Sequence, residues 1–70
     1  MTQKQQLIAM LDSSGTGYGQ TDHWRGGVVS GSSVLVEAPR EFEDEWYVTD
    51  FRFDNDGKLV EVFGYPGEKG

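Results

Sequence analysis

Trp46-Tyr47-Val48-Thr49-Asp50-Phe51-Arg52-Phe53-Asp54-Asn55-Asp56-Gly57-Lys58-Leu59-Val60-Glu61-Val62-Phe63-Gly64-Tyr65 reads as a β-hairpin. Aromatic and β-branched residues flank a short polar segment, and such residues fit a pleated, half-buried surface. Within that segment, Gly57 stands where a tight turn needs positive φ. Two registers are open. A three-residue loop pairs Asp54 with Lys58 and Phe53 with Leu59, and gathers Tyr47, Phe51, Phe53, Leu59, Phe63 and Tyr65 on one face. A four-residue loop pairs Phe53 with Val60 and sets Arg52 opposite Glu61, a favourable cross-strand ion pair. The first buries more aromatic surface and is preferred. In either case Asp50 and Arg52 face away from Phe51 and Phe53, because side chains alternate along a strand.

Upstream, Ser33-Val34-Leu35-Val36-Glu37-Ala38 is a third strand that Pro39 ends. Arg40 to Glu45 connect it to the hairpin. Residues 13–33 are rich in Gly and Ser, and read as a long loop, an edge strand near Trp24–Val29 and a turn at Ser30-Gly31. Residues 2–13 form a helix. Thr2 and Gln5 have capping-box spacing, Leu7, Ile8 and Leu11 share a face that Met10 widens, and Gly15 supplies a left-handed stop. A helix this short needs a surface to dock on. Downstream, Pro66-Gly67 ends the last strand. The expected architecture is α+β: one domain over residues 1–70, with an N-terminal helix packed on three or four antiparallel strands.

The chain has 70 residues and no cysteine, which excludes disulfides, thiolate metal sites and cysteine nucleophiles. So small a domain has a limited core, and here it rests on nine aromatics; dimerisation would add to it. No apolar run approaches the ~18–20 residues that a membrane-spanning helix needs. Leu7–Leu11, preceded by a single lysine, is too short for a secretory signal. A cytoplasmic protein is expected.

Charge is concentrated. Between Glu37 and Asp56 stand Glu37, Glu41, Glu43, Asp44, Glu45, Asp50, Asp54 and Asp56 against Arg40 and Arg52, which accounts for the whole net charge of -6. Such a field repels nucleic acid, whose phosphates need Lys and Arg, and attracts basic surfaces. Glu43 and Glu45, if extended, lie on one side about 6.5–7 Å apart, a spacing that imitates a row of phosphates.

The catalytic candidates are weaker. Gly15-Thr16-Gly17-Tyr18-Gly19 resembles a phosphate-binding loop, but follows a helix where such loops precede one. Asp54-Asn55-Asp56-Gly57 echoes a calcium loop, yet an EF-hand register would put Arg52 and Phe63 at ligand positions. Asp22-His23 would need a nucleophile, and no elbow motif supplies one. No cofactor, metal site or enzymatic activity is expected.

As a short, acidic, cysteine-free single domain without a catalytic constellation, the chain resembles small phage-encoded inhibitors of bacterial defence of the anti-CRISPR type. Separately, Phe51-Arg52-Phe53-Asp54-Asn55-Asp56-Gly57-Lys58-Leu59-Val60-Glu61 resembles the hairpin of NTF2-like domains. The first resemblance implies a non-enzymatic inhibitor that occupies a basic, nucleic-acid-binding surface, such as that of a defence nuclease complex. The expected contact residues are Glu41, Phe42, Glu43, Asp44, Glu45, Trp46, Asp50 and Asp54. Phe42 and Trp46 would anchor the contact and the carboxylates would engage lysines and arginines. The alternative is a small assembly protein that associates with itself through its sheet.

Overall fold

A computed structural model describes residues 1–39 and 46–67, with the backbone alone at positions 38, 39 and 46. Helix α1 spans Gln3–Ser14. Its start is the expected capping box: the Gln5 amide donates to Thr2 Oγ1 at 3.1 Å and the Thr2 amide donates to Gln5 Oε1 at 2.9 Å. Its end is Gly15 at φ 73°, followed by a Thr16 amide that donates to the Leu11 carbonyl at 3.0 Å. Both helix ends therefore have partners for backbone groups that the helix itself leaves open.

Four antiparallel strands follow: β1 (Gly19–Arg25), β2 (Val28–Pro39), β3 (Trp46–Phe53) and β4 (Leu59–Gly67), in the order β1-β2-β3-β4. The α+β meander stands as expected, with four strands. The first hairpin does not turn at Ser30-Gly31. It turns at Gly26-Gly27, whose φ values of 60° and 81° are those of a two-residue type I′ connection, the kind that matches strand twist. Ser30 and Gly31 instead lie inside β2, which is twelve residues long. Gly31 is small for a different reason: a Cβ there would stand 2.5 Å from the Phe53 carbonyl oxygen.

The second hairpin combines both registers. Phe53 pairs with Leu59 and the Asp54 amide donates to the Lys58 carbonyl at 3.0 Å, as in the three-residue loop. Arg52 nevertheless pairs with Glu61, as in the four-residue loop, because a bulge between Arg52 and Phe53 takes up Val60. A one-residue shift sends every later side chain to the other face. Phe63 and Tyr65, opposite Asp50 and Val48, thus leave the face of Phe51 and Phe53. The single aromatic face expected from the sequence is divided between the two sides of the sheet.

The face toward α1 carries the main hydrophobic cluster, and Val48 is buried on the other face. Leu11 of α1 packs with Val34 and Phe53, and Leu7, Ile8, Tyr18, Val36 and Phe51 surround them. The helix is pinned at its N-terminal end: the Lys4 amide donates to the Gly57 carbonyl at 3.0 Å, and the Leu59 amide donates to Gln3 Oε1 at 2.7 Å.

Candidate partner-binding surface

The meander sorts charge by position. Pro39 pairs with Trp46, so the connection that contains Glu41, Phe42, Glu43, Asp44 and Glu45 leaves and rejoins the sheet at a single end. Those five residues lie outside the described residues. Glu37, exposed near the end of β2 and opposite Val48, adds a carboxylate at that end. The opposite end holds the Gly26-Gly27 turn, the Asp54–Lys58 turn and the start of α1, where Lys4, Arg25 and Lys58 stand with Asp54 and Asp56. Charge is near balance there.

Trp46 opens β3 and is paired with both Pro39 and Gly67, so its backbone sits beside the acidic connection. Asp54 does not. At about 3.3 Å per residue, β3 places it roughly 26 Å from Trp46. Its Oδ1 accepts the Asp56 and Lys58 amides, both at 2.9 Å, and so closes the turn.

Asp50, expected on the exposed acidic face, is only 5% exposed. Its Oδ2 lies 3.6 Å from Arg52 Nε, and the Arg52 guanidinium lies 4.4 Å from the centre of the Phe63 ring. The bulge brings Phe63 beneath Arg52, an arrangement that belongs to the four-residue register and not to the preferred three-residue one. Asp50 Oδ1 has no hydrogen-bond partner. The carboxylate stands beside Arg52 and has little exposed surface of its own.

On the same face, His23 Nε2 lies 2.6 Å from Ser33 Oγ. This sets a hydroxyl beside the histidine, and Ser33 is fully buried. Asp22, one residue away on β1, projects to the opposite face and does not orient the ring. The pair gives the buried Ser33 hydroxyl a hydrogen-bond partner. Among the described residues no group of three His, Cys, Asp or Glu is arranged to hold a metal ion, and no helix is long and apolar enough to cross a membrane.

Two surface features were not anticipated. A cleft of about 290 Å³ runs between α1 and the second hairpin, lined by Leu7, Met10, Phe51, Phe53 and Leu59 with Gln3 and Gln6. Beside it, edge strand β4 exposes Val60 and Val62. The alternation of Val60, Glu61 and Val62 carried a signal for this edge. The bulge obscured which of the three faces the helix.

The chain matches no family model, no curated protein and no solved structure.

Proposed function

We propose that this is a non-enzymatic binding protein that occupies a basic, nucleic-acid-binding surface of another protein, as an inhibitor of a defence nuclease complex in a bacterial cytoplasm would. The observation that supports the proposal is the excess of carboxylates between Glu37 and Asp56, together with the pairing of Pro39 with Trp46, the two residues that bound the segment containing Glu41, Glu43, Asp44 and Glu45. A negative field concentrated at one end steers association with basic surfaces more strongly than the same charge spread evenly. The contact set is Glu41, Phe42, Glu43, Asp44, Glu45 and Trp46. Asp50 and Asp54 support the scaffold, one under Arg52 and the other inside the turn. The binding is expected to weaken with salt, since exposed charges are screened within roughly 8–10 Å at physiological ionic strength.

The test is the triple variant Glu43→Lys, Asp44→Lys, Glu45→Lys, compared with the wild type for capture of a basic partner. The circular dichroism spectrum and the urea midpoint serve as checks on folding. Loss of capture by a folded variant supports the proposal; capture at wild-type strength overturns it. The second function, self-assembly through the sheet, is favoured by one observation, the exposed apolar side chains of edge strand β4.

A further inference from the structure

The two edges of the sheet differ. Edge strand β1 carries two charges, Asp22 and Arg25, residues of the kind that discourage further strand pairing, and its register against β2 shifts between His23 and Trp24, where Ser30 of β2 is the extra residue. Edge strand β4 carries one charge, Glu61, and from there to Gly67 its pairing with β3 is regular. Leu59, Val60, Val62 and Tyr65 are all exposed along it.

The phase of the outer backbone groups follows from Pro66. It pairs with Tyr47 but has no N–H to give, so its nitrogen faces away from β3. The hydrogen-bonded Asp54–Lys58 pair at the other end of the hairpin gives the same alternation once the bulge is passed. Val62 and Gly64 therefore direct their amide and carbonyl groups outward, and Glu61, Phe63 and Tyr65 direct theirs to β3.

We propose that two copies of this chain join β4 to β4 antiparallel, about a two-fold axis at Phe63, so that Val62 of each copy hydrogen-bonds with Gly64 of the other. This arrangement is self-complementary on both faces. On the helix side, Val62 lies against Gly64 of the second copy, where the Tyr47 ring occupies the space that a Cβ would take. On the open side, the two Phe63 rings meet as a non-hydrogen-bonded pair, the closer kind of cross-strand neighbour, each with an Arg52 guanidinium over it. The charges agree. Antiparallel pairing sends the two acidic ends to opposite ends of the joined sheet and sets Lys58, at the start of β4, toward the acidic end of the second copy. The result is a closed isologous dimer with eight continuous strands. It does not depend on the function proposed above.

Light scattering on the purified wild type at tens of micromolar is expected to give twice the chain mass, and Val62→Lys to give the monomer mass. Thr21→Lys on the other edge stays dimeric. Because the chain has no cysteine, single-cysteine variants read the register directly. Phe63→Cys is expected to form an intermolecular disulfide on mild oxidation, since the Cα separation of about 4.5 Å in such a pair lies within disulfide range. Tyr65→Cys, which faces Glu61 of the second copy, is not. A monomeric wild type, an open series of larger species, a dimeric Val62→Lys, or linkage at Tyr65→Cys as ready as at Phe63→Cys overturns the proposal.

Discussion

Thr2 rests on Gly57. A Cβ at Gly57 would stand 2.7 Å from both Cβ and Oγ1 of Thr2, the residue that caps α1. The turn of the second hairpin thus supplies the seat for the helix N-terminus, and the Lys4 amide donating to the Gly57 carbonyl locks it. One glycine meets two demands, a φ of 77° and the absence of a side chain. Gly57→Ala is expected to cost about 2–3 kcal/mol, more than the roughly 1 kcal/mol for backbone strain alone. Gly27→Ala, at φ 81° with open space around it, measures the strain alone. Urea unfolding of the two variants checks the difference; equal costs would mean that Thr2 does not press on the turn.

The bulge at Val60 leads to an unusual deletion. Removing Val60 leaves Leu59 opposite Phe53 and Glu61 opposite Arg52, now in unbroken alternation. The deletion is expected to change stability by less than about 1 kcal/mol, since Val60 is exposed. Removing Val62 displaces Phe63 from Arg52 and is expected to cost several times more. Thermal unfolding of both deletions decides the point.

Arg52 and Asp50 are unequal partners. Asp50 is buried with Oδ1 unpartnered, whereas the Arg52 side chain is 41% exposed. Arg52→Met strands a buried carboxylate and is expected to cost about 1–3 kcal/mol, while Asp50→Asn stays within about 1 kcal/mol of wild type. In the Arg52→Met background, Asp50→Asn should recover part of the loss. Additive losses in this double-mutant cycle would show that the two side chains do not interact.

Tyr18 is expected to add to the pH dependence of stability in alkaline solution. Partial burial, then the hydrogen bond and charge of Asp12, hold its phenol above the ordinary 10.0. A phenol that is harder to ionise in the folded state keeps its proton there longer than in the unfolded chain. Its contribution is complete below the unfolded value and is lost as pH rises through the folded one. Urea midpoints are therefore expected to fall above about pH 10, and Tyr18→Phe to flatten that fall. An unchanged slope in Tyr18→Phe would place that pH dependence elsewhere.

What the sequence made legible was local. Thr2, Gln5 and Gly15 mark the helix because caps depend on neighbours in the chain, and Gly57 marks its turn for the same reason. The Gly26-Gly27 turn was equally local, but the surrounding Gly and Ser residues masked it. The bulge at Val60 was not legible, since it reconciles two pairings that each look complete on their own. Its consequence is that Phe63 lies beneath Arg52, on the face where Asp50 is buried. Charge count along the chain carries no information about which way a strand faces.

The most direct test of the function is capture from bacterial lysate on the immobilised wild-type protein, at low and at moderate salt, read by mass spectrometry. We expect a nucleic-acid-processing protein with a basic surface, retained at low salt and released as salt rises. Recovery of no protein other than this chain, or of a partner whose retention is indifferent to salt, would contradict the account.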